Sequence, residues 1–138
     1  MAFSHGSAAI FKVADSGSVM RDLSGYLKSE GLNRVFGVDD VTCQGASVTA
    51  RSYAAGLADG TIPFEGLYDP TVDGYLEGIK RVVTTYEYYP VGEPVGATKP
   101  KYSGSCLLSD YQVQTGTDGQ AKITGTFQLS GAVTRAVA

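Results

Sequence analysis

The stretch that most constrains this chain is residues 101–135, where two long runs alternate in polarity around a turn. In the second run Ile123, Phe127, Leu129 and Val133 share one parity, while Lys122, Thr124, Thr126, Gln128 and Ser130 share the other. A period of two is the signature of a strand with one wet and one dry face. The first run alternates less cleanly, with Leu107, Tyr111 and Val113 set against Leu108, Asp110, Gln112 and Gln114. Between them Asp118-Gly119 supplies the pair that tolerates positive φ in a tight hairpin turn. At about 3.3 Å per residue such a hairpin spans roughly 35–40 Å, more than a small core needs from one ribbon.

With 138 residues the chain reads as one domain (1–138) with a self-sufficient core. Eighteen glycines and nine tyrosines without a tryptophan lean towards a mainly β fold. The charge balance, 11 Lys+Arg against 14 Asp+Glu, lacks the clustered cations that hold phosphate backbones, so stable nucleic-acid binding is not expected. Residues 1–19 lack the basic start and apolar run of a secretory signal, and no apolar run approaches 18 residues, so no membrane anchor is expected. Cys43 and Cys106, without CxxC spacing, are expected to be reduced.

In order along the chain, residues 8–13 predict a first strand, 15–18 a turn, and 19–23 a returning strand. Residues 24–31 (SGYLKSEG) are compatible with a short helix, capped by Ser24 and ended by Gly31. Residues 32–42 are β-like, with Val35, Phe36, Val38 and Val41. Residues 43–57 show no period and predict a long connection of the kind that orders against a partner. Asp59-Gly60 predicts a turn into a strand over 61–68, with Ile62 and Phe64 on one face and Thr61, Pro63 and Glu65 on the other. Pro63, lacking a donor, points to a sheet edge or a bulge.

One helix is well marked. Asp69 is placed to cap it, Pro70 fits its first position, Asp73 sits in its first turn, and Lys80 and Arg81 are expected in its last. Val72, Tyr75, Leu76, Ile79 and Val83 form its apolar stripe. Gly74 and Gly78, on the far side, each cost about 1 kcal/mol relative to alanine; either they are tolerated surface glycines or they admit a neighbouring subunit's backbone. A tyrosine-rich strand over 84–89 and a Pro/Gly loop over 90–100 lead into the hairpin.

Nothing in the sequence spells catalysis. Nucleophile elbows, phosphate loops and metal-ligand spacings are absent, and the single histidine, His5, lies among Ser and Gly near the terminus. Asp39 and Asp40, adjacent on a strand, point to opposite faces and cannot act as a pair. No enzyme activity, metal or cofactor is expected.

Residues 56–62 (GLADGTI), 65–76 (EGLYDPTVDGYL) and 125–135 (GTFQLSGAVTR), together with the opening 1–12 (MAFSHGSAAIFK) and 22–27 (DLSGYL), resemble the major tail (tail tube) protein of long-tailed, non-contractile bacteriophages. The likeness runs in order over nearly the whole chain. It rests on turn glycines, a cap and alternating strands taken together, none of which is a chemical signature.

The resemblance implies a β-sandwich or partial barrel of antiparallel strands with one flanking helix over about 70–83. It further implies a virion structural protein whose strands join those of neighbours in hexameric rings, which stack into the tube that delivers DNA. Partners would be further copies of itself and the tail terminator, tape-measure and tail-tip proteins, with DNA only as transient cargo and assembly in the host bacterial cytoplasm. The family's ring-stacking loop falls on Gln44, Gly45, Ala46, Ser47, Val48, Thr49, Ala50, Arg51, Ser52 and Tyr53. The lumen-facing set would be Asp40, Thr61, Glu65, Asp110, Gln112, Lys122, Thr124, Thr126 and Gln128, and subunits would meet at Gly74 and Gly78. Lys122 could instead pair with Asp110 across the hairpin. Two other readings stand beside this one. One is a tail-tip β-sandwich that binds a host glycan through Tyr86, Tyr88 and Tyr89; the other is the tube of a contractile injection system or gene-transfer particle.

Overall fold

The computed structural model describes residues 8–45, 47, 49–92, 95–96, 99–117 and 119–137. His5, Asp118 of the hairpin turn, and Ala46 and Val48 of the expected loop lie outside them. The elements are β1 (Ile10–Ala14), β2 (Met20–Asp22), β3 (Leu27–Glu30), β4 (Asn33–Asp40), β5 (Tyr53–Leu67), α1 (Pro70–Ile79), β6 (Val83–Tyr89), β7 (Lys101–Gln114) and β8 (Lys122–Ala136). The strands form one antiparallel sheet, ordered β2-β1-β6-β7-β8-β5-β3, with β4 also pairing with β5. It is a mainly β half-barrel with a single α-helix among the described residues, as the alternation and the turn-rich composition imply.

The dry parity of β8 does what its pattern predicts: Ile123 and Phe127 are fully buried and Leu129 nearly so. They meet Phe11 and Val13 of β1, Ile62 and Phe64 of β5, Tyr86 of β6 and Cys106 of β7. The Phe127 ring lies 5.8 Å from that of Phe11 and 5.3 Å from that of Phe64, tilted contacts that add to area burial. α1 closes this side with Val72, Leu76 and Ile79. Its start is capped as expected, Asp69 Oδ1 accepting from the Thr71 amide at 2.8 Å, with Pro70 at the first position. Its end comes earlier than expected. Lys80 is extended and Arg81 has φ +64°, so neither lies in the last turn, and Val83, expected on the helical stripe, begins β6.

Other expectations are corrected by long-range pairing. Residues 24–31 form no helix: Asp22 Oδ1 turns the chain by accepting from the Ser24 amide, and β3 then pairs with β5 through Leu27↔Gly66 and Glu30↔Phe64. Asp59-Gly60 is no turn but the middle of a 15-residue strand, and residues 53–57, expected within the connection, are its start. Pro63 is not on an edge. Its strand has β8 on one side, and on the other its carbonyl accepts from Gly31, where the chain passes from β3 to β4. Its missing donor faces that junction. In β7 the register slips between Leu108 and Asp110, so the extra residue, Ser109, reverses the parity. Cys106 and Leu108 face the core on one side of the bulge and Tyr111 on the other, and Leu107, expected inside, pairs with Gln128 on the wet side.

Candidate functional site

The first surface is the sheet face turned away from the core. On β5, Thr61, Pro63 and Glu65 stand opposite Gln128, Thr126 and Thr124 of β8; these in turn stand opposite Leu107, Asp110 and Gln112 of β7. Lys122 lies between Leu67 and Gln114. Eight of the residues the sequence picks out (Thr61, Glu65, Asp110, Gln112, Lys122, Thr124, Thr126 and Gln128) therefore share one face. Asp40 does not. Counting along β4 from Asn33, which stands opposite Thr61, Asp40 falls on the other parity and Asp39 on this one. Lys122 and Asp110 sit in different rows, and no ion pair joins them. Gln128 bridges strands by donating from Nε2 to Asp59 Oδ1 (2.7 Å) and to the Gly60 carbonyl (3.0 Å).

The second surface is an arm. From Thr61 back to Tyr53, β5 runs on past the row Thr61–Gln128–Leu107–Val83 with β4 beside it, a projection of about 26 Å at 3.3 Å per residue. Its apolar side chains cover nothing: Val35, Phe36, Val38, Val41 and Tyr53 are exposed, and Leu57 keeps 93% of its accessible surface. The Arg34 guanidinium lies 5.0 Å from the Phe36 ring. Gly37 and Gly56 face each other across the arm, where a Cβ on Gly37 would fall 2.7 Å from the Leu57 carbonyl oxygen.

At the tip, Asp40 accepts from the Thr42 amide at 2.9 Å and from Arg51 Nη1 at 3.0 Å, contacts that hold its carboxyl below the usual range. The Ser52 carbonyl accepts from the Val41 amide, and the Ser52 amide donates to Thr42 Oγ1. Arg51, Ser52 and Tyr53 thus belong to the closed base of the loop, while Gln44, Gly45, Ser47, Thr49 and Ala50 are exposed.

The remaining candidates separate. Gly74 has open space around it, whereas a Cβ on Gly78 would meet Ser16 of the same chain at 3.2 Å, so that close approach is intramolecular. Tyr86 and Tyr89 are buried, at 1% and 6% exposure, which removes two of the three tyrosines from a glycan surface. Cys43 is exposed; Cys106 is buried, and burial pushes its thiol up to about 12, where it is inert. Among the described residues no His/Cys/Asp/Glu group could hold a metal, and no helix is long and apolar enough to cross a membrane. Sequence reasoning missed the arm, although its signal was present: Val35, Phe36, Val38 and Val41 fill both parities, leaving no wet face.

No protein-family model and no curated protein matches this sequence. Solved structures do. The chain is similar to the tail of an empty gene transfer agent particle refined with C6 symmetry, at TM-score 0.77 and 14% identity over 97% of this chain and 99% of that one. It is similar to the SPP1 tail tube at TM-score 0.70 and 10% identity, over 99% and 80% of the two chains. It is also similar to a chain of the anti-feeding prophage baseplate at TM-score 0.67 and 12% identity, over 99% and 95%. The fold of this chain is therefore the tail-tube fold.

Proposed function

We propose that this protein is a tail tube subunit: copies join edge to edge into hexameric rings, and the rings stack into a conduit for DNA in the tail of a phage or gene-transfer-type particle. The observation that carries the reading is the division of its surface. A half-barrel with one hydrated sheet face and open edges gains a continuous wall by closing with its neighbours, which removes edges that would otherwise aggregate. An arm with six exposed large apolar residues gains by being covered. The C6 symmetry of the similar gene transfer agent tail supports six subunits per ring.

In this reading the eight polar residues that share the face line the lumen, where Glu65 and Asp110 repel phosphate and let DNA pass without being held. The arm and its loop contact the next ring. The chain acts as structure and not as a catalyst, and its other partners are terminator, tape-measure and tip proteins of the tail. Electron microscopy of the concentrated protein tests this directly. Rings or tubes are expected; a strictly monomeric protein at millimolar concentration would remove the basis for the reading.

A further inference from the structure

β5 and β8 separate halfway along their length. Their last pair on the arm side is Thr61↔Gln128, and beyond it both continue as strand over equal lengths, residues 53–60 and 129–136. Each keeps its other neighbour to the end, β5 pairing with β4 as far as Asp40↔Tyr53 and β8 with β7 as far as Lys101↔Ala136. The sheet therefore forks into two branches. Both branches are irregular there: the register of β4 against β5 shifts between Phe36 and Val38, that of β7 against β8 between Ser103 and Ser105, and Gly131 takes φ +87° inside β8. Such bulges bend a strand away from its neighbour. Gln128 Nε2 caps the base of the fork by donating to the Gly60 carbonyl.

The fork leaves two edges with no strand beside them among the described residues, and their outward N–H and C=O groups are left to water. Charge sets these two edges apart. Edge strands are commonly kept from pairing by charged side chains, and the outer edges follow that rule: β2 carries Arg21 and Asp22, β3 carries Lys28 and Glu30, and β4 carries Arg34, Asp39 and Asp40. Residues 53–58 (YAAGLA) and 129–134 (LSGAVT) carry no charge. Direction sets them apart as well. Because every pairing in the sheet is antiparallel, β2, β3 and β4 run the same way as β8, whereas β5 runs against it. Copies related by rotation about a barrel axis keep their strand directions, so the β5 edge of another copy meets β8 antiparallel and the charged outer edges would meet it parallel, the slightly less stable pairing.

We infer that residues 53–60 of one copy of this chain add as an antiparallel strand to residues 129–136 of the next copy around the ring, so that each arm is laid along its neighbour's β8. This rests on the proposal above that copies join edge to edge, and it specifies the two edges. Two different edges on one molecule make a heterologous contact, which closes into a ring where the rotation allows. Level with the fork, the wall then passes from β7 and β8 of one copy to β5 and β4 of the next. The loop beyond Asp40 is left for the adjoining ring.

Site-directed cross-linking of the full chain tests this. Ala55→Cys and Thr134→Cys, both at exposed positions, are combined in a Cys43→Ser background with Cys106 buried, and are joined after assembly by a short bis-maleimide that tolerates a register shift of one residue. A ladder of covalent oligomers ending at the ring size is expected, and a mixture of the two single variants should give dimers and nothing larger. Thr134→Cys with Lys28→Cys, on the charged edge of β3, is the control pair and should stay monomeric. Ala55→Lys and Ala132→Lys, which put a charge on each free edge, should each lower assembly at least tenfold and leave the monomer's melting temperature unchanged. Rings or tubes in which the Ala55–Thr134 variant stays unlinked or links only within one chain would overturn the edge assignment and leave edge-to-edge assembly standing. Equal linking of the control pair, or assembly unaffected by both lysines, would do the same. Unsubstituted protein that never assembles would overturn both.

Discussion

Replacing Leu57 with threonine separates assembly from folding more cleanly than any other single change. Leu57 keeps 93% of its surface in the monomer, so almost none of its hydrophobic value is used in folding and nearly all is available to a neighbour. Threonine is β-branched, a character strands favour. It removes two carbons, worth about 1.6 kcal/mol on burial, and adds a hydroxyl whose unpaired burial costs about 1 kcal/mol. A loss of about 2–3 kcal/mol per contact raises the critical concentration for tube growth roughly 30- to 150-fold, at 1.4 kcal/mol per decade.

Sedimentation across a concentration series measures this, since the protein left in the supernatant above threshold is the critical concentration. The monomer should melt within about 2 °C of the unsubstituted chain, because an exposed substitution costs under about 0.5 kcal/mol and a chain of 138 residues has an unfolding entropy near 0.3 kcal/mol per degree. An unchanged critical concentration would show that Leu57 stays in water in the assembly. A fall in melting temperature beyond about 5 °C would show that the arm packs within its own subunit.

Four further outcomes are expected. Gly125→Ala places a methyl 2.6 Å from the Phe64 ring and 2.5 Å from the Asp110 carbonyl oxygen, and should cost about 1–3 kcal/mol in urea unfolding. Gly74→Ala, with open space around it, should gain about 1 kcal/mol and leave assembly intact, and loss of tubes there would restore that glycine as a subunit contact. Tyr111→Phe removes the 2.8 Å hydrogen bond to Asp73 that ties β7 to α1; a loss of about 1–2 kcal/mol is expected, and an unchanged urea midpoint would refute it. Burial, with Asp22 adding to it, raises the Glu30 carboxyl above its ordinary 4.5. The folded state then binds its proton more tightly than the unfolded one, so stability falls as pH rises from 4.5 through the folded value and levels off above it. Glu30→Gln should abolish that fall, and an identical pH profile for both proteins would refute the assignment.

Some features were legible because their causes are local. Asp69, Pro70 and the apolar positions Val72, Leu76 and Ile79 specify α1 within one short segment, and the alternation of Ile123, Phe127 and Leu129 sets both the strand and its buried face. Eight of the nine residues picked for one face share it because parity in an unbroken strand carries from end to end. Asp40 falls on the other face because it lies an odd number of residues from Asn33 along β4, and the sequence by itself does not show that Asn33 is the residue that stands opposite Thr61.

What only the tertiary structure decided is where one strand meets another. Residues 24–31 have local chemistry compatible with a helix, yet Leu27 and Glu30 become strand because β5 offers them distant partners in Gly66 and Phe64. Asp59-Gly60 has turn chemistry, yet the pairing of Gly60 with Arg34 and of Thr61 with Gln128 keeps the chain straight. The bulge at Ser109 turns Leu108 inward and Leu107 outward, a choice made by the fit of β7 against Phe127 and Gly125. Composition and parity by themselves determined a mainly β chain with one wet face and one capped helix, since propensity, capping and alternation act over a few residues. The half-barrel and the projecting arm arise from contacts between residues far apart in sequence, whose energies appear only once the strands are paired.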